Sequence, residues 1–150
     1  RWWFRIGKWN YAAETPILLL ADCGGSNGYR VTLFRDQLQQ LADRLGRTIR
    51  VSHLPPYCSK YNPIDHRVFC HISRSFRSLL LTGIEVIREA IEYTTTRTGL
   101  KVVAELARLH YQAKEKPSIN YLQNPTIIRD KTLGQFNYKF EPKTPKLFFP

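Results

Sequence analysis

A short continuous apolar run, Ile17-Leu18-Leu19-Leu20-Ala21, bounded by Pro16 and the Gly24-Gly25 pair, constrains this chain more than any other feature. Its length and composition read as a fully buried strand over about residues 17–22. The turn Cys23-Gly24-Gly25-Ser26-Asn27-Gly28 follows, with Ser26 or Asn27 able to cap the next helix. Phe34, Leu38, Leu41 and Leu45 then recur at steps of four, three and four, which predicts an amphipathic helix over about 29–45 ending at Gly46. Ile49, Val51 and Leu54 mark a second strand at about 48–54, stopped by Pro55-Pro56. A chain that alternates strand, helix, strand and helix builds an α/β domain with helices packed on a sheet.

Asn62 is a natural N-cap and Pro63 a natural first helical residue, so a helix is expected over about 62–77, with Ile64, Val68, Ile72 and Phe76 facing the core beside Phe69. A further helix is expected over about 84–95 through Val86, Ile87, Ala90 and Ile91, followed by Thr94-Thr95-Thr96-Arg97-Thr98-Gly99. Val102 to Leu109 fits a short helix or a strand equally. Beyond Tyr111, Pro, Lys, Asn and Tyr prevail without a period, which reads as an extended basic tail with one strand near Phe136 to Phe140. The expected organisation is thus one core part at 1–110 and a tail at 111–150.

The net charge of +11 favours polyanionic partners, because Lys and Arg contacts to phosphate release condensed counterions. DNA-processing, RNA-binding and ribosomal roles all satisfy that charge. No apolar run approaches the roughly 20 residues needed to cross a bilayer, so no membrane partner is expected. Cys23, Cys58 and Cys70 are odd in number and widely spaced, which suggests no disulfide framework and fits a reducing cytoplasm. With no Met anywhere, the chain reads as a fragment or a truncated frame.

Four stretches carry a specific resemblance. They are Ile17 to Gly28, His53-Leu54-Pro55-Pro56, Lys60-Tyr61-Asn62-Pro63-Ile64-Asp65-His66-Arg67-Val68-Phe69, and Thr94-Thr95-Thr96-Arg97-Thr98-Gly99-Leu100. In this order they resemble the DDE transposases of the Azo-type insertion-sequence family, within the ribonuclease H-like group. The similarity runs from about Trp2 to Leu109, with a weaker match around Gln135 to Pro142. The resemblance implies the C-terminal part of a ribonuclease H-like α/β core that cleaves and joins DNA strands. The implied partners are transposon ends and target DNA, with a possible homo-oligomer in the intact enzyme.

The resemblance also assigns Asp22 and Asp65 as catalytic metal ligands for magnesium or manganese. Phosphoryl transfer on DNA can use two divalent ions about 3.5–4 Å apart, and magnesium needs only a few carboxylates because it keeps several waters. By the same resemblance a third carboxylate belongs on an earlier strand; only Glu14 precedes Asp22, in a linker, so the two-ion site is expected to be incomplete in this chain. Asp65 stands where the family usually has Glu, and Cys23 where it usually has Gly. Asn27, Lys60, His66, Arg67 and Arg97 are the candidate DNA contacts.

Each of these residues has a plainer role open to it. Asp65 suits the N3 acid of a capping box and Asp22 a turn former. His66 suits a phosphate, a water beyond the metal's own ligands or an exposed helix face; Arg97 suits a phosphate or a helix terminus. His53, His66 and His71 with Cys58 and Cys70 lack the paired spacing of a structural zinc site. Arg1, Arg5, Lys8, Arg30, Arg35, Arg74, Arg77, Lys101 and Arg108 are scattered over several elements, and Trp2, Trp3 and Trp9 either stack on bases or fill the core. Against the transposase expectation stand a non-catalytic basic DNA-binding remnant and, from another class, an RNA-binding module.

Overall fold

The computed structural model describes residues 3–12, 14–107 and 114–143. Arg1, Trp2, Arg108 and Leu109 lie outside the described residues. Two compact units divide the chain, Arg1–Ser59 with Lys114–Pro150, and Lys60–Ala113. Together they are mixed α/β with one four-stranded sheet, as part of a ribonuclease H-like fold should be.

In the first unit a turn of wide helix at Trp3–Gly7 and a short α1 (Lys8–Asn10) precede strand β1 (Ile17–Ala21). Helix α2 (Thr32–Leu45) leads to β2 (Ile49–His53), and later in the chain come α5 (Ile119–Gln123), β3 (Ile128–Arg129) and β4 (Asn137–Phe140). The sheet order is β1-β2-β4-β3. The β1 and β2 strands run parallel with Ile17 opposite Ile49 and Ala21 opposite His53, as a crossover through α2 requires. The β4 strand pairs antiparallel with both β2 and β3.

Gly46 ends α2 in the left-handed conformation, φ 59°, which costs glycine nothing, and its N–H returns to Ala42 and Asp43. The buried face of α2 is Leu38 and Ala42, packed with Ile49, Val51, Tyr121, Tyr138 and Phe140. Leu41 is turned outward. Two polar residues share this buried face. Gln39 donates to Asp43 Oδ1 at 2.8 Å and to the Glu141 carbonyl at 2.9 Å, and Thr126 donates to its Oε1. Asp36 accepts the Ser118 N–H at 2.6 Å; burial alone would raise its carboxyl, but that bond and others outweigh burial and hold it below the ordinary range. These bonds tie α2 to residues 118–143 and give that segment its place.

Two expectations change here. The β1 strand is not buried on both faces: Leu18 and Leu20 are 57% and 54% exposed, because their face of the sheet, shared with exposed Arg50 of β2, has no covering layer among the described residues, while Ile17, Leu19 and Ala21 turn toward the core. An unbroken apolar run does not reveal whether both faces of a strand are covered. Residues 114–143 also hold more than an extended tail. The strand expected near 136–140 is present as β4, but it lies inside the sheet, flanked by β2 and β3. Ser118 caps α5 by accepting the Tyr121 N–H at 3.3 Å.

In the second unit Asn62 caps as expected, its Oδ1 accepting the Ile64 N–H at 3.4 Å. A π-helical turn, Asp65–Phe69, then leads into α3 (Cys70–Ser75), and α4 covers Ile84–Glu92. Val68, Ile72 and Phe76 are partly covered, whereas Ile64 and Phe69 are exposed, since the wider turn shifts the helical face. Residues 101–107 form neither helix nor strand. Among the described residues no helix is long and apolar enough to cross a membrane.

Candidate functional site

Asp22 stands one residue beyond β1, where the parallel pairing continues for one more bond, Leu54 N–H to Ala21 carbonyl at 2.8 Å. Its carboxylate is held from the loop side: Oδ1 accepts the Gly24 N–H and the Asn27 amide, both at 3.3 Å. Gly25 makes this wrap possible with φ +58°, a conformation side chains with a Cβ disfavour. Cys23 turns back to donate its thiol to the Leu54 carbonyl at 2.9 Å, and burial followed by the Asp22 charge pushes that thiol up. Asn27, expected to touch DNA, therefore has an observed contact of another kind: it positions Asp22.

A buried clamp fixes the Asp22 backbone. His53 Nδ1 lies 3.1 Å from the Asp22 carbonyl and its Nε2 2.7 Å from the Tyr138 hydroxyl. A carbonyl only accepts, so Nδ1 carries a proton, and in the neutral imidazole Nε2 accepts from the Tyr138 hydroxyl. His53 is 4% exposed, with the rings of Tyr29 and Phe34 edge-on at 6.2 Å. The imidazole is thus committed to holding Asp22. Sequence reasoning noticed His53 but had no signal for Tyr138, which comes from the far end of the chain.

Burial pushes the Tyr138 phenol up to about 12. The unfolded phenol ionises near its ordinary value of about 10. Below that, both states hold the proton and the full contribution is present; as pH rises toward 12 the unfolded chain sheds its proton first, so stability falls. Urea unfolding at pH 9 and pH 11.5 is expected to show a loss of about 2 kcal/mol that Tyr138→Phe does not share. Equal losses in both proteins would overturn this account of Tyr138 burial.

In the second unit, Asp65 opens the π-helical turn and its N–H reaches the Asn62 carbonyl at 3.2 Å, which places it in the first turn as expected of a capping acid. His66 donates Nε2 to the Lys60 carbonyl at 2.6 Å, and the Lys60 ammonium lies 5.0 Å from the Tyr61 ring centre. Cys70 donates its thiol to the His66 carbonyl at 2.9 Å. The structure thus brings Lys60 and His66 together, while Arg67 is exposed. Arg97, also exposed, lines a cavity together with Arg74, which sequence reasoning counted only among scattered basic residues.

Among the described residues no group of three or more His, Cys, Asp or Glu side chains could hold a metal ion. Asp22 taken singly fits a magnesium ligand: it is an exposed hard oxygen donor, and both of its hydrogen bonds fall on Oδ1, so Oδ2 has no hydrogen-bond donor among the described residues. Asp22 and Asp65 belong to separate units.

A family model described as "Rhodopirellula transposase DDE domain" matches residues 1–142. No curated protein matches the chain, and neither does any solved structure.

Proposed function

Because the chain belongs to the Rhodopirellula transposase DDE-domain family, which gives it a role in DNA transposition, we propose that Asp22 and Asp65 hold metal in an active site that cuts and joins DNA strands. Proteins of this family generally use a divalent metal and act on DNA. The observation that carries the proposal is the exposed Asp22 carboxylate at the end of β1, clamped through its backbone by His53 and through Oδ1 by Gly24 and Asn27. A carboxylate restrained on both sides is preorganised, so it spends little ordering entropy on a ligand.

When bound, a divalent cation such as magnesium or manganese supplies positive charge to the attacking and leaving oxygens of the phosphodiester. The chain's own share is positional. Asp22 offers a carboxylate just past the end of β1, and Asp65 offers one from the first turn of its helix. Lys60, His66, Arg67 and Arg97 track the phosphates, and Asn27 serves through Asp22. In this reading residues 1–110 belong to the catalytic core, the intact enzyme acts as an oligomer, and the reaction frees a hydroxyl at the transposon end by hydrolysis before joining it to target DNA.

The test is cleavage of a duplex bearing the element's own end by the intact enzyme, in which the ligand set has its third carboxylate. Nicking is expected with magnesium or manganese and none after chelation by EDTA. Duplex binding without metal-dependent nicking would favour the non-catalytic DNA-binding alternative instead.

A further inference from the structure

The second unit contains an open cavity of about 470 Å³ whose walls come from α3 and from the segment after α4. His71, Arg74 and Ser75 enter it from α3, where spacings of three and four place them on one face. Thr95 and Arg97 face them across the opening. The segment carrying these two residues is fixed at both ends. Thr94 is buried, its hydroxyl 3.1 Å from Ser75 Oγ and 3.2 Å from the Ala90 carbonyl. Thr96 Oγ1 accepts the Leu100 N–H at 3.2 Å, and Gly99, at φ +86°, closes the turn with its N–H on the Thr96 carbonyl at 2.9 Å.

The charge in this cavity is uncompensated. No Asp or Glu lines it, and among the described residues neither the Arg74 nor the Arg97 guanidinium is in an ion pair or hydrogen bond. The acids of α4 are engaged elsewhere: Arg88 takes Glu85 at 2.8 Å, Glu89 at 3.8 Å and Glu92 at 2.5 Å. Two arginines without an ion pair, a histidine and a threonine therefore line one concavity. Guanidinium forks match the paired oxygens of a phosphate, and hydroxyl and ring N–H donors complete its shell.

The geometry points to this cavity as a seat for a backbone phosphodiester of DNA, gripped by Arg74 and Arg97 with His71 and Thr95 as supporting donors. The inference rests on the transposition role and adds to it a phosphate seat whose lining includes neither of the two carboxylates. Its contacts are to phosphate, so they set grip and register and carry no base sequence.

The experiment follows binding of a fluorescent duplex by the full chain across a salt series, for the parent, Arg74→Ala, Arg97→Ala, the double variant, and the charge-matched control Arg44→Ala on α2. Arg74 and Arg97 are exposed, so folding is expected to persist, and circular dichroism checks it. Each cavity arginine is expected to lower the slope of log affinity against log salt by about one. The double variant should bind about tenfold more weakly at moderate salt, whereas Arg44→Ala should lose much less. Inorganic phosphate serves as a competitor: displacement of the duplex from the parent but not from the double variant supports the seat. A double variant that matches Arg44→Ala overturns the seat and leaves the metal-dependent reading standing. Phosphate that binds the cavity while the duplex slope is unchanged by both substitutions assigns the pocket to free phosphate and overturns the DNA contact. Loss of metal-dependent nicking together with intact cavity slopes would sink the catalytic reading alone.

Discussion

Asp22→Asn is expected to lower metal-dependent nicking and joining at least about a hundredfold while leaving the fold in place. The amide keeps a carbonyl oxygen where Oδ1 now accepts the Gly24 N–H and the Asn27 amide, and the His53 bond goes to the backbone, which the substitution does not touch. What is lost is the negative charge and an anionic oxygen for a hard cation. A metal ligand contributes several kcal/mol to charge stabilisation in the transition state, and about 3 kcal/mol already amounts to a hundredfold. A readout that does not need turnover is manganese affinity, expected to fall at least about tenfold. Unfolding free energy should stay within about 0.5 kcal/mol of the parent, as for other exposed substitutions. Parent-like nicking and parent-like manganese binding in Asp22→Asn would remove Asp22 from the site. Nicking lost with stability lost would point to a structural role instead.

The parts of this chain that were legible beforehand are those whose signals are local. Pro16 and the glycine pair bracket β1; the four, three, four spacing and Gly46 define α2; Pro55-Pro56 and Asn62-Pro63 mark where β2 stops and the next helix begins. Each depends on backbone chemistry within a few residues, and β1, α2, β2 and α4 lie within the ranges expected from sequence. Asp22 emerged for the same reason, as an acid just past a strand end. What stayed hidden depends on partners distant in sequence. Leu18 and Leu20 look like core until the fold leaves their face of the sheet without a covering layer among the described residues. His53 reads as a spare imidazole until Tyr138, 85 residues away, supplies its second bond. Arg74 becomes interesting only when Arg97 faces it across a cavity. Asn27 adds a contact that its sequence position did not signal: its amide donates to the Asp22 carboxylate five residues back.

Phe140→Ala tests how far the first unit depends on its C-terminal strand, and the expected cost is about 3–5 kcal/mol. Position near the end of the chain makes such a residue look dispensable, because termini generally fray unless tied down. Here it is tied down. Phe140 is 0% exposed, pairs opposite Ile49 of β2, and meets the Tyr138 ring edge-on at 5.7 Å. Truncation to Ala removes an aromatic ring from between α2 and the sheet and leaves a cavity that the neighbouring strands cannot close without losing their ladder bonds. Against a typical stability of about 5–15 kcal/mol, that loss moves the urea midpoint strongly while the slope stays near the parent's. Trp9→Ala is the matched control in the same unit: at 75% exposure its loss should cost about 1 kcal/mol or less. A Phe140 cost as small as that of Trp9 would mean that β4 is not part of the core. The functional consequence follows from the register, because loosening β4 also loosens Tyr138, and with it the His53 bond that holds the Asp22 backbone. Nicking by Phe140→Ala should therefore fall with temperature well before the parent's does, and added magnesium should not restore it.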